Sequence, residues 1–368
     1  MIEPRPELGK LSDYVPGKSI EEIQNRYHLD RVIKLASNEN TLGVSPRAKR
    51  AYEAAADSFY LYPRGEAPQL LSALAEKYGV EKSQIIIGNG SDEVIEFVAR
   101  AFVREGDTCL GIAPTFSVYR FAVLAAGGNW VQVEASSPEE KPSVVSILSQ
   151  VTPEVRVLFL CSPNNPTGWY YSEAEIETLL KNLSPETLLF LDEAYAEFAE
   201  ASDFPDSFSM IRKYPNLLVS RTFSKIYGLA GLRVGYALGN AEVVRHLWKI
   251  KPPFDVNSAV QAAAVAVLSD REYFEQSLKL VRRGKEQLIP ALSAMGFSVQ
   301  PTQANFICVK IGAQAMALVE FLEQNGVIIR PLKSFKMDAY VRITIGTSEE
   351  NAVLLSLISK WREENKNG

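Results

Sequence analysis

The sequence predicts an α/β protein built on a mostly parallel sheet, with a second, smaller α+β unit. Three observations carry this. From about Gln84, short apolar runs alternate with amphipathic stretches. Each run is rich in Val, Ile, Leu or Phe and is bounded by Gly, Pro, Asn or Asp, as strands buried on both faces are. Beyond about Pro252 the texture changes to longer helical stretches followed by shorter strand candidates, which marks a separate unit.

In chain order the apolar runs are QIIIG, TCLGIA, VRVLFLC, LLFLD and LLVSRT. Residues 91–103 and 172–183 between them have helical periodicity, so strands and helices alternate as a parallel sheet requires. Past Pro252 the pattern predicts helices over 258–268 and 271–295. Strand candidates NFICVK, GVIIRP and YVRITIG follow, then a last helix over 348–364 and a polar tail. At 368 residues and 46% hydrophobic, the chain exceeds what one small domain needs. The expected division is a large domain over 40–255 and a small one formed by 256–368 with 1–39.

Composition narrows the function. A net charge of −5 offers no broad positive surface for nucleic acid, so anionic ligands would need locally placed Arg, Lys or backbone amides. Cys109, Cys161 and Cys308 are far apart in apolar runs, without CxxC spacing. They read as buried thiols in a reducing compartment. His28 and His246 are the only histidines and lie in polar helical stretches, so neither histidine chemistry nor a metal site is expected. The N-terminal MIEPRPELGKLSDYVPG lacks the basic-then-apolar design of a signal peptide, and no apolar run reaches transmembrane length. The expectation is a cytoplasmic protein without membrane association.

Four segments carry chemistry. In SRTFSKIYGLAGLRVGY, Lys225 follows an apolar strand, where α/β folds bind ligands. Alone it would read as a solvated loop lysine, but Thr222, Ser224 and Arg233 add hydroxyls and a guanidinium suited to phosphate. In LLFLDEAYAEF, Asp192 ends a strand and Tyr195 follows three residues later. The carboxylate is either a helix cap or a ligand group, and no P-loop accompanies it to make a Walker B site. In CSPNNPTGWY, Pro and Gly fix a turn in which Asn165 can hydrogen-bond. In IIIGNGSDEVIEF, a strand runs through GNG into a helix opening at Ser91 and Asp92. Its free amides suit a phosphate, although a plain N-cap reads the same way.

Taken together and in this order, these segments resemble the aspartate aminotransferase fold family of pyridoxal-5′-phosphate (PLP) enzymes, fold type I. Within it they resemble the histidinol-phosphate aminotransferase branch. KLASNENTLG, GNGSDE, NNPTG, DEAYAEF, RTFSKIYGLAGLRVGY and VRITIGTSEEN carry the likeness, from about Tyr14 to Asn351. The resemblance implies a large PLP-binding domain with a seven-stranded sheet sandwiched by helices. It implies that Lys225 forms a Schiff base with PLP and shuttles a proton, and that Asp192 pairs with the pyridinium nitrogen. Tyr195 and Asn165 would bond the ring's phenolic oxygen, and Phe116 would stack on its face. Thr222, Ser224, Arg233 and the amides of Ser91 and Asp92 would hold its phosphate. Tyr62 would reach that phosphate from a neighbouring subunit, which implies a homodimer.

On the substrate side the resemblance assigns Arg342 to the amino donor's carboxylate or the substrate phosphate, and Arg330 to the phosphate. Tyr14 and Asn40 match positions near the substrate. Arg64, Thr41 and Phe116 depart from the branch's usual residues without removing a catalytic group. The implied reaction exchanges amino groups between glutamate and 2-oxoglutarate on one side and histidinol phosphate on the other. An aromatic aminotransferase and a phosphoamino-acid decarboxylase would use the same lysine. A PLP-binding regulator would carry an attached DNA-binding domain, for which the N-terminus has no room.

Overall fold

The apolar runs form strands because they are buried on both faces. The computed structural model describes residues 2–3, 6–11 and 17–365. In chain order the strands are β1 (Ile33–Leu35), β2 (Ile85–Gly88), β3 (Thr108–Ala113), β4 (Asn129–Glu134), β5 (Val155–Cys161) and β6 (Leu188–Asp192). They continue as β7 (Leu217–Thr222), β8 (Gly235–Gly239), β9 (Ser298–Val299), β10 (Phe306–Lys310), β11 (Val327–Pro331) and β12 (Tyr340–Thr344). Every residue of β2, β6, β7 and β8 is buried.

Seven strands form one sheet in the order β2-β8-β7-β6-β5-β3-β4. Only β8 runs against its neighbours; β7, β6, β5, β3 and β4 pair in parallel. The carboxyl ends of β2, β3, β5, β6 and β7 therefore lie along one edge, joined there by the start of β8. Ligands of open α/β sheets bind along such an edge. The second sheet, β1-β11-β12-β10-β9, is mixed: β1 and β11 are parallel and the other pairs antiparallel. The chain's early segment thus supplies a strand to the sheet made by its last third.

Helix ends follow local chemistry. Ser172 caps helix Glu173–Asn182 in a reciprocal capping box with Glu175, and Thr347 does the same with Glu350 for helix Ser348–Glu364. The expected helix over 91–103 spans Ser91–Phe102, and the one over 271–295 spans Arg271–Ala294. Helix Ser258–Leu268 packs on helices Pro46–Ala54 and Pro68–Tyr78, while Arg271–Ala294 packs on Ser348–Glu364. All three cysteines are free and buried. No helix among the described residues is long and apolar enough to cross a membrane.

Candidate active site

A cavity of about 750 Å³ opens at the carboxyl edge of the large sheet and is walled on its far side by the small one. Its size is that of a small-molecule site. Apart from Tyr62, every catalytic and cofactor position singled out in the sequence lines it, and so do Arg330 and Arg342.

The turn after β2 builds one end. Gly90 enters helix Ser91–Phe102 with φ +87° and no side-chain cap, leaving the first amides open toward the cavity. A Cβ on Gly90 would lie 2.4 Å from Arg233 Nη2, and one on Gly235 would lie 2.4 Å from the Ser91 nitrogen. The two glycines thus let a guanidinium and a strand close on the helix start. Arg233 donates to Ser224 Oγ at 3.2 Å and to Asp92 Oδ2 at 3.2 Å. Buried Thr222 accepts the Ser224 amide at 3.1 Å. Amides, hydroxyls and a guanidinium together form a cradle for a phosphate-sized anion.

The middle of the cavity is set by β6 and β7. Asp192, at the end of β6, is buried; it accepts the Tyr119 hydroxyl at 2.5 Å and the Ala194 amide at 3.1 Å. Burial raises its carboxyl to about 6, against the lowering effect of those two bonds. Lys225, just past β7, donates to Ser37 O at 3.2 Å and lies 5.6 Å from the Tyr195 ring centroid. Desolvation lowers its ammonium to about 8, helped by the Arg342 cation. A reactive amine and a carboxylate thus share one pocket with an anion cradle.

Tyr195, its phenol pushed up by burial, accepts Asn38 Nδ2 at 3.0 Å. Asn38, at φ +55°, is held by the small sheet: its amide donates to Thr344 Oγ1 at 2.9 Å, and its carbonyl accepts Asn305 Nδ2 at 3.1 Å. Arg342 of β12 reaches across to Asn165 Oδ1 and donates to Ala36 O at 2.6 Å. It stands in register with Arg330 of β11. Phe116 is half-buried, edge-on to Tyr119 at 5.7 Å.

Three sequence-derived positions are not brought to this cavity. Asn40 commits its amide to Ile226 O at 2.9 Å and Ser277 Oγ at 2.8 Å, outside the lining residues. Tyr62 is 82% exposed, stacked on Phe254 at 4.7 Å, beside a separate groove between helices. Tyr14 lies outside the described residues. Conversely, Asn38 and Tyr119 carry site geometry that the sequence reading passed over. Asn38 lies inside KLASNENTLG and Tyr119 lies three residues past Phe116, so an amide or phenol there was the available signal.

Comparison with known proteins gives the family and the fold. Residues 30–358 match the family model described as aminotransferase class I and II. A histidinol-phosphate aminotransferase of Moorella thermoacetica is 40% identical over 352 residues, 95% of this chain and 91% of that protein. Histidinol-phosphate aminotransferase 2 of Pseudomonas fluorescens is 41% identical over 358 residues, 97% of this chain and 96% of that one. Among solved structures, histidinol-phosphate aminotransferase from Sinorhizobium meliloti, in complex with pyridoxal-5′-phosphate, superposes with TM-score 0.86 at 26% identity, covering 97% and 96% of the two chains. Aspartate aminotransferase from Thermus thermophilus shares the fold, with TM-score 0.84 at 23% identity over 98% of this chain and all of that one. Together with the site, these matches place the chain in the class I and II aminotransferase family.

Proposed function

We propose that this protein is a PLP-dependent aminotransferase that interconverts L-histidinol phosphate plus 2-oxoglutarate and imidazole-acetol phosphate plus L-glutamate, in histidine biosynthesis. The observation that carries the reading is the meeting of Lys225, Asp192 and the Ser91–Arg233 anion cradle in one cavity. It is supported by relatives of that name at about 40% identity along nearly the whole chain.

The residues fit PLP. The cofactor has a phosphate, a ring nitrogen, a phenolic oxygen and an aldehyde, and the cavity offers a partner for each. The amides of Ser91 and Asp92 would hold the phosphate, with Thr222, Ser224 and Arg233. Asp192 would face the ring nitrogen, Tyr195 and Asn165 the phenolic oxygen, Phe116 the ring face, and Lys225 the aldehyde. When bound, the cofactor supplies the electron sink for charge left at the substrate's α-carbon. Lys225, an amine with a pKa near 8, takes and returns the α-proton. Asp192, raised to about 6 in the ligand-free protein, is mostly ionised at neutral pH and can hold a proton on the ring nitrogen opposite. Tyr119 fixes the orientation of that carboxylate.

On the substrate side, Arg330 and Arg342 would take carboxylate or phosphate. Asn40, which grips Ile226 O, would act through the Lys225 loop, and Tyr14 would act near the substrate. The assembly we propose is a homodimer. Exposed Phe59, Tyr60, Leu61, Tyr62 and Phe254 form an apolar face suited to a second copy, from which Tyr62 would reach the neighbouring phosphate site. We further propose two domains, 40–255 and 256–368 with 1–39, which meet where helix Ser258–Leu268 of the smaller packs on helices Pro46–Ala54 and Pro68–Tyr78 of the larger. A cytoplasmic setting is supported by three free thiols.

Borohydride reduction of the PLP-loaded protein, followed by peptide mass mapping, tests the lysine. A single phosphopyridoxyl adduct at Lys225 is expected. Lys225→Ala should lose it, and turnover should fall by about a thousandfold or more. An adduct elsewhere, or near-normal turnover in that variant, contradicts the assignment.

A further inference from the structure

The loop between β11 and β12 presents a lysine to the cavity from a backbone conformation that favours glycine. Lys336 has φ +58° and ψ +33°, ending the tight turn Lys333–Phe335. A side chain in this region is strained relative to glycine. The loop is closed on itself: the Leu332 amide donates to Tyr340 O at 3.1 Å, and the Met337 amide to Leu332 O at 3.2 Å. Leu332 and Met337 are buried with Cys308 and Tyr340 beneath it. With that side anchored, Ser334, Phe335 and Lys336 are left lining the cavity that Arg330 also lines, a few residues past it in the chain.

The charge there is unbalanced. Among the described residues no carboxylate pairs with Lys336 or with Arg330. Arg342 stands directly across the ladder from Arg330. A carboxylate carries one negative charge and is satisfied by one forked guanidinium, whereas a phosphate monoester is a dianion and calls for a further donor. Strained backbone conformations that persist mark places where function holds them.

We propose that Lys336 is a specificity-determining residue: together with Arg330 it engages the phosphate of a phosphorylated amino substrate and favours that substrate over its unphosphorylated counterpart. This rests on the aminotransferase reading above and adds a residue to its substrate side. Lys336→Gly removes the cation with its side chain and suits the positive-φ backbone, so the fold is expected to be retained; Lys336→Arg restores the charge.

The experiment measures steady-state turnover of L-histidinol phosphate and of L-histidinol, with 2-oxoglutarate, for wild type and both variants. Lys336→Gly is expected to raise KM for the phosphate ester about tenfold, the effect of losing one charge-assisted contact. The ratio of kcat/KM for the ester to that for L-histidinol should fall by a similar factor, and Lys336→Arg should recover most of it. A change below about twofold, or equal losses on both substrates, overturns the role of Lys336 while leaving the aminotransferase reading in place. A wild-type protein that does not turn over L-histidinol phosphate overturns both.

Discussion

At the scale of single residues, the site depends on two groups moved from their ordinary titration in opposite directions. Lys225 is lowered to about 8 by desolvation and by Arg342. Roughly a tenth of it is therefore neutral at pH 7, and half at pH 8. Capture of PLP by the cofactor-free protein is a nucleophilic step, so its rate should climb with pH through a midpoint near 8. Arg342→Ala removes a repelling cation and should move that midpoint upward. Stopped-flow absorbance measures both, and a wild-type midpoint near 10 would show that the pocket does not depress the amine. Lys225, Asp192 and Tyr195 were legible as cavity positions because short segments place them at or just past the ends of apolar runs, and Arg233 because it follows Lys225 within one such segment. Asn38 and Tyr119 were not, because their partners lie 157 and 73 residues away along the chain. Asn38 rather than Asn40 lines the cavity for a related reason: in a two-residue spacing, only the backbone conformation decides which amide faces it, and Asn38 takes φ +55°.

At the scale of elements, the turn joining β2 to helix Ser91–Phe102 is the most constrained piece of the site. Gly90→Ala would force a side chain into a positive-φ position and into the Arg233 guanidinium. We expect cofactor affinity to fall about tenfold or more with the fold retained, since the displaced group is a side-chain end. Equilibrium dialysis against PLP measures this, and unchanged affinity would remove the cradle from the account. Five apolar strands of the large sheet, β2, β3, β5, β6 and β7, were legible because burial on both faces gives nearly unbroken apolar runs. Edge strand β4, NWVQVE, was missed because most of its residues are partly or fully exposed and it has no such run. Strand β8, GYALG, was missed because small residues break its apolar run, and β1 because it is three residues long and held by pairing with the distant β11.

At the scale of the whole molecule, the cavity needs both sheets. The large one supplies the anion cradle, Asp192 and Lys225; the small one supplies Arg330 and Arg342 and, through Thr344, fixes Asn38 against Tyr195. The composition of the second unit was legible, but the return of β1 to pair with β11 was not, because a pairing across nearly 300 residues leaves no local pattern. The exposed aromatic face around Tyr62 and Phe254 leads us to expect a two-chain particle in sedimentation velocity. Phe254→Asp should shift it toward single chains that lose PLP faster, because Tyr62 would no longer reach a neighbouring phosphate site. A wild-type protein that sediments as one chain with full activity would contradict the shared site.

The most direct test of the central claim is the turnover of L-histidinol phosphate by the PLP-loaded protein with 2-oxoglutarate, read as glutamate formed and compared with phenylalanine and tyrosine under the same conditions. Glutamate formation is expected, with a kcat/KM for the phosphate ester well above that for either aromatic amino acid. Turnover confined to phenylalanine or tyrosine, or no glutamate from any donor, would contradict it.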